Sequence, residues 1–285
     1  MTVIALLRQD MSHFPRGEKR VAQTLLAAYP IAGLETLAQL AERAGVSGPT
    51  VLRFLTRLGF SGFSDFQRVL HEEVHERLAT VASFYEEREL PGGDDAVESA
   101  FRKARENVEA TVGETTLGEV RSIVELLGDA RGGVLCVGGM FEEPLALYLQ
   151  LQLTMLRPAC RHYSASTPLL WNEVAGLSKR DIVVAFDFRR YSDPLYQACH
   201  EAVTRGARVV LFTDPWFSPI VADAAHVLVC HTESLSPFDS YAAGFTLAES
   251  IAAGLAVHLG TSAQQRIRTI ESITPKVSQN PGEDF

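Results

Sequence analysis

The chain has 285 residues, of which 46% are hydrophobic and 21% charged, and its net charge is −9. That length suits two domains of roughly 100–200 residues each, and the composition is that of an ordinary globular protein. No charge-free apolar run reaches ~18 residues, so no membrane span is expected. The opening MTVIALLRQDMSHFPRGEKR lacks the basic leader of a signal peptide. Cys136, Cys160, Cys199 and Cys230 are widely spaced with no CxxC pair. They read as free thiols of a reducing cytoplasm rather than as disulfides or zinc ligands.

The charge is uneven. Residues 1–80 hold nine Lys/Arg against eight Asp/Glu and sum to +1. The remaining residues hold seventeen against twenty-seven and sum to −10. An acidic C-terminal part repels a phosphate backbone, so any contact with nucleic acid falls to the first eighty residues.

In chain order, GEKRVAQTLLAAY (17–29) and LETLAQLAERAG (34–45) have helical apolar spacing, and the second ends at a capping Gly45. SGPTVLRFLTRLG (47–59) starts with Ser47 as N-cap and Pro49 in the first turn, and ends at Gly59. FSDFQRVLHEEVHERLATVASFYEE reads as one long helix or two, and LPGGDD (90–95) as a linker. After two more helices, short β-rich runs begin: GVLCVGG (133–139), ACRHYSA (159–165), DIVVAFDF (181–188), ARVVLFTD (207–214) and AHVLVC (225–230). Helical stretches separate them, which predicts a parallel sheet with helices on both faces. An apolar helix over 240–260 follows, and the tail VSQNPGEDF reads as disordered. The expected division is a helical domain at 1–80, a linker at 81–96, an α/β domain at 97–262 and a partly disordered tail at 263–285.

Residues 37–58 carry the spacing of a helix–turn–helix. Ala41 lies four residues before Gly45, whose backbone can take the positive φ of the turn. Val46, Val51 and Phe54 or Leu55 follow at buried offsets, with Leu37, Leu40 and Ala44 before them. The outward face of the second helix is then Ser47, Gly48, Thr50, Arg53 and Arg57. Small residues lead and two arginines follow one turn apart, as a helix entering the major groove requires. Such arginines can bond a guanine edge or clamp a phosphate.

ETLAQLAERAGVSGPTVLRFLTRLGFSGFSDFQRVL resembles the N-terminal domain of the RpiR/MurR-type bacterial transcriptional regulators. Gly45-Val46-Ser47, Thr50-Val51, Arg53-Phe54, Leu58-Gly59-Phe60, Gly62-Phe63 and Phe66 fit that pattern. Phe60, Phe63 and Phe66 read as core of the small domain. The resemblance implies a sequence-specific regulator with a C-terminal SIS (sugar-isomerase-type) domain. It therefore implies two domains, an all-α reader and an α/β sandwich with a parallel sheet that senses a metabolite.

The loops depart from the usual SIS pattern. Where G.G.S is typical, VGGMFEEP keeps Gly138 and Gly139, then places Met140, Glu142 and Glu143. Where S.SG.(S/T) is typical, FDFRRYS places Asp187, Arg189, Arg190, Tyr191 and Ser192. With Thr213, these are the expected effector residues. Carboxylates stand where helix N-termini would otherwise attract a phosphate. The expected effector is therefore a carboxylate- or hydroxyl-bearing metabolite rather than an ordinary sugar phosphate. Arg189 or Arg190 would hold a carboxylate, and Asp187 or Glu142 an amine or hydroxyls. A structural salt bridge, a subunit contact or an empty site remain open alternatives.

The rival reading is an SIS-type phosphosugar isomerase drawing on Glu249 and His258. Glu249 reads more simply as a surface or subunit-contact residue. His200, His226 and His231 are scattered. No catalytic residue, metal or cofactor is expected. The expected partners are a double-stranded DNA operator, a small effector and a second copy of the chain in a homodimer or homotetramer. No membrane is expected among them.

Overall fold

The computed structural model describes residues 2–9, 11, 13–78 and 94–274. The N-terminal part is all helical: α1 (Val3–Gln9), α2 (Arg16–Ala27), α3 (Ile31–Leu34), α4 (Leu37–Ala44), α5 (Gly48–Arg57) and α6 (Phe63–Leu78). Expected linker residues 81–93 and the tail VSQNPGEDF lie outside the described residues.

Helix α4 starts at 37 rather than 34 because Thr36 caps it. The Thr36 hydroxyl accepts from Gln39 N, and the Gln39 side chain returns to Thr36 N, closing a capping box. Thr36→Ala is expected to cost ~1 kcal/mol of helical-domain stability, read as a lower denaturant midpoint. Gly45 ends α4 with φ 61°, the left-handed conformation the turn needs. Val21, Leu25, Leu40, Val51, Phe54, Leu55, Phe66 and Leu70 form one core. Phe60 and Phe66 meet edge to face at 5.4 Å, and Phe63 packs against Phe66 at 6.0 Å. The three aromatics therefore belong to the core, as expected.

The C-terminal part starts with α7 (Asp94–Glu114) and α8 (Leu117–Asp129). Residues 94–96, expected in the linker, form the first turn of α7. Then β1 (Val134–Gly138), α9 (Glu143–Leu156), β2 (Cys160–Ser164), α10 (Leu169–Ala175), β3 (Ile182–Asp187), α11 (Asp193–Thr204), β4 (Arg208–Thr213) and β5 (His226–Val229) alternate. All five strands are parallel, in the order β2-β1-β3-β4-β5. Their apolar runs serve both faces. Val134, Cys136, Val184 and Phe186 pack towards α8 and α9, while Leu135, Val137, Val183 and Ala185 pack towards α10 and α11.

Helix α12 (Ala242–Leu259) is long and apolar enough, by length and composition, to cross a bilayer. Here its stripe Leu247, Ala248, Ile251 and Leu255 is packed into the sheet core. A final helix, α13 (Thr261–Ile273), occupies positions expected in the tail. It packs on α9, where Arg266 Nε donates to Thr154 O at 2.8 Å. Its sequence, TSAQQRIRTIESI, is too polar to reveal this docking from periodicity.

Three of the four thiols are buried, Cys160 is half-buried, and all four are free. Burial pushes the Cys160 thiol up to about 11. Among the described residues no group of His, Cys, Asp and Glu is arranged to hold a metal.

Candidate functional site

Helix α5 presents the expected face. Ser47, Arg53 and Arg57 are exposed, and Gly48 and Thr50 are half-exposed. Ser47 does occupy the N-cap, but its hydroxyl meets Thr50 Oγ1 at 3.0 Å rather than capping a backbone N–H. Arg53 Nη2 donates to Thr50 Oγ1 at 3.2 Å, which holds its side chain along the outward face. Arg57 differs from Arg53. Its Nε donates to Glu18 Oε2 at 2.7 Å, and Glu18 is buried on α2. Arg57 therefore ties the second helix of the motif to α2.

Helix α2 adds cations that the motif reading left out. Arg16, Lys19 and Arg20 are exposed on it. Arg20 lies across the turn, so closely that a Cβ at Gly45 would collide with its guanidinium. The signal was present as RGEKR (16–20), but only packing brings it beside the turn.

The second site follows from topology. In the order 2-1-3-4-5 the connections leave in opposite directions from β1 and β3, which opens a crevice at their C-terminal ends. The loops after β1 (139–142) and β3 (188–192) meet there. They are the two loops singled out from sequence.

Gly138 and Gly139 are required by close approach. A Cβ at Gly138 would lie 2.7 Å from the Glu142 backbone, and one at Gly139 would collide with Glu142 Oε2. The Glu142 side chain is thus folded over the glycines, and its Oε1 accepts from Tyr241 Oη at 2.9 Å. Asp187 Oδ1 accepts from Ser192 N at 3.1 Å, and its Oδ2 accepts a short bond from Ser218 Oγ. Thr213 is fully buried beneath, donating to Asp187 O at 2.9 Å and accepting from Ser218 N at 3.0 Å. Ser192 caps α11.

The arginines part company. Arg189 is buried and pairs with Asp239, fifty residues on, rather than with Asp187 or Glu142. Arg190, at φ 72°, is exposed with its guanidinium 5.6 Å from the Phe141 ring centre. Tyr191 Oη donates to Asp214 Oδ1 at 2.7 Å. Met140 is 81% exposed and adds little to the crevice.

Asp214, Ser218, Asp239 and Tyr241 were not singled out from sequence. Their only signal was position, at the end of a strand (Asp214) or just before α12 (Asp239 and Tyr241).

The electrostatics are one-sided. Burial raises Glu142 to about 7, helped by the charges of Asp187 and Asp239 and opposed by the Tyr241 bond. Burial raises Asp187 to about 6. It raises Asp214 to about 7, with Asp239 adding to it, while Tyr191 and the backbone oppose. Asp214 Oδ2 is buried with no hydrogen-bond partner. Once Asp239 is matched by Arg189, three carboxyls remain in a desolvated site. They must take up protons or receive hydrogen-bond donors.

Glu249 accepts from Tyr148 Oη at 2.6 Å, and His258 lies 3.1 Å from Asp129. His200, His226 and His231 each face a separate acid, Asp223, Glu119 and Glu114.

Comparison with known proteins matches both halves. A family model described as a helix-turn-helix domain of the rpiR family covers residues 1–77, and an SIS-domain model covers 134–254. A helix-turn-helix-type transcriptional regulator of Haemophilus influenzae is 24% identical over 220 residues, spanning 75% of this chain and 74% of that protein. The regulator HexR of Escherichia coli is 24% identical over 263 residues, 87% of this chain and 89% of its own. Among solved structures, NanR of Vibrio vulnificus, in complex with ManNAc-6P, has a TM-score of 0.55 at 19% identity and covers 95% of this chain and 99% of its own. The sugar isomerase domain of an RpiR transcription factor from Sphaerobacter thermophilus has a TM-score of 0.59 at 23% identity, covering 62% of this chain and 98% of its own. The helical part thus matches the helix-turn-helix domain of the rpiR family and the α/β part an SIS domain, and with both in one chain it belongs with the RpiR-type transcriptional regulators.

Proposed function

We propose that the SIS domain of this regulator senses an unphosphorylated small metabolite at the β1–β3 crevice and thereby alters how α5 meets its operator. The observation that carries this reading is the pair of buried acids, Glu142 and Asp187, that the chain itself sets in the crevice beside the two helix N-termini. Glu142 stands at the start of α9, and Asp187 holds the N–H of the α11 cap. A phosphate would have to displace or neutralise them, because phosphate and carboxylate compete for the same positive helix N-termini. A ligand rich in amines or hydroxyls instead donates to Glu142 and Asp214, and Arg190 at the exposed rim suits a carboxylate on the same ligand. NanR, solved with a sugar phosphate, is a relative in fold, so the change of ligand class lies in the loops.

The helical domain reads DNA through Ser47, Gly48, Thr50 and Arg53, with Arg57 anchoring α5 and with Arg16, Lys19 and Arg20 on phosphates. One recognition helix covers a half-site, so two copies of the chain bind one operator, in the cytoplasm. Regulation without catalysis is the reading we favour over a phosphosugar isomerase, because Glu249 and His258 are each engaged by a neighbouring side chain, Tyr148 and Asp129.

The test has two arms. Selection from fragmented genomic DNA by the full-length protein is expected to enrich an inverted repeat beside a few operons. Calorimetric titration is then expected to give tighter binding for amino sugars or sugar acids than for their phosphates. Tight phosphosugar binding that Asp187→Ala leaves unchanged would remove the effector reading.

A further inference from the structure

A second cleft opens at the other end of the sheet, by the N-terminal ends of β1 and β2, with a volume of about 510 Å³. It lies ~16 Å from the effector crevice, the length of the five-residue β1 at ~3.3 Å per residue. Its walls come from the end of α8, the loop before β1, the loop before β2 and the junction of α12 with α13. That volume fits a small metabolite.

The charge of this cleft is the reverse of the crevice. Arg131, Arg157 and Arg266 line it, and no carboxylate does. Arg157 is 6% exposed, yet its partners are backbone carbonyls: Leu127 O, Ala130 O at 3.1 Å and Gly132 O at 2.6 Å. No ion pair matches Arg157, Arg131 or Arg266 among the described residues. Two acids beside the cleft, Asp181 and Asp129, are engaged elsewhere. Asp181 accepts from Gly133 N, Ser178 N and Ser178 Oγ, and Asp129 faces His258. Arg157, Arg161 and Arg266 all act on the Cys160 thiol, which places three cations within one small region. Of these, Arg161 has its own partner in Glu173, at 2.8 Å.

A buried guanidinium without a counter-charge is costly unless an anion reaches it. The start of α13 adds to the same field. Its cap residue is Gly260, which has no side chain to cap the first turn, and Ser262 of that turn lines the cleft. Uncapped helical N–H groups and arginine forks both suit an oxyanion.

We infer that this arginine-lined cleft is a second ligand site, separate from the effector crevice, which takes a phosphate-type oxyanion, free or carried on a small molecule. The convergence of three arginines on one small cleft, with Arg157 buried at its base, favours a small anion over a nucleic-acid backbone, which needs exposed cations along an extended face. The regulator would thus hold sites of opposite charge at the two ends of one sheet.

The test uses full-length protein in low-phosphate buffer. Inorganic phosphate and glycerol 3-phosphate are titrated separately by calorimetry, with chloride of equal ionic strength as reference. Saturable binding with a Kd of about 1 mM or tighter is expected for at least one of them. The more tightly bound of the two identifies the source of the phosphoryl group. The variant pair Arg131→Gln/Arg266→Gln is expected to weaken it at least about tenfold while keeping the melting temperature in chloride. Arg157 is left in place because it supports the core. Two results would overturn the inference. One is phosphate binding that is absent, or unchanged in the variant. The other is a variant that loses DNA affinity while its phosphate binding is intact, which would assign the arginines to the nucleic-acid backbone.

Discussion

Replacing Arg53 by alanine is expected to weaken operator binding roughly 5- to 150-fold, the effect of losing one good base contact of ~1–3 kcal/mol. Arg53 is exposed on α5, one turn after Thr50, and no carboxylate neutralises it among the described residues. The loss should fall on the operator and much less on unrelated DNA, because a base contact carries sequence information. Lys19→Ala or Arg20→Ala is expected to behave differently. Each should weaken binding to all sequences alike and reduce the salt slope by about one. Arg57→Ala should be milder for recognition, since Arg57 is spent on Glu18. Fluorescence anisotropy with operator and scrambled duplexes at several salt concentrations separates these outcomes. Arg53→Ala with full affinity and full discrimination would show that α5 is a packed helix and not the reader.

Raising the pH from about 5 to about 8 is expected to destabilise the SIS domain by several kcal/mol. Glu142 and Asp214 titrate near 7 in the folded protein and Asp187 near 6, against ordinary values of 4.5 for Glu and 3.8 for Asp. Between those limits the folded state holds protons that the unfolded state has released. Stability therefore falls as pH rises through the window, and levels off above the folded values. Moving one carboxyl from its ordinary range to about 7 corresponds to roughly 3 kcal/mol, and the three interact, so the sum is smaller than three independent shares. His162 opposes the trend, because burial disfavours its protonated form. Asp65 and Asp181, held below the usual carboxylate range, act below this window. Urea denaturation at a series of pH values measures the slope, and Asp214→Asn should flatten it. A stability that holds constant or rises towards pH 8 would show that these carboxyls are hydrated in the folded protein.

On the proposed function, the same carboxyls would link the effector to protons. A ligand that donates hydrogen bonds to Glu142 and Asp214 favours their charged forms, so its binding releases protons near neutral pH. An operator response that strengthens with pH over this range is the corresponding functional signature.

Helix α5 was legible because its determinants are local. Gly45, Ala41, the N-cap position of Ser47 and the apolar spacing of Val51, Phe54 and Leu55 lie within fifteen residues, and a helix maps such spacing directly onto faces. The strands were legible for a related reason. A strand buried on both faces is an apolar run, and VLCVG, IVVAFD and RVVLFT stand out as such. Even the crevice was half visible, since its two loops follow β1 and β3 directly.

Charge partnership was not legible. Arg57 finds Glu18 across 39 residues, Asp187 finds Ser218 across 31, and Arg189 finds Asp239 across 50. Strand order brings the last two pairs together, and helix packing the first. No spacing rule reaches so far, because a side chain meets whatever the fold places within ~4 Å of it. Helix α13 shows the same long reach: it packs on α9 with Ala263 buried, and its bond from Arg266 Nε to Thr154 O joins positions 112 apart in the chain. The local chemistry of this chain thus settles which segments are helix, turn and strand, and which face of α5 is left exposed. The fold alone decides which charges are neutralised. Coulomb energy and desolvation depend on distance in space, and the order of residues along the chain does not set that distance.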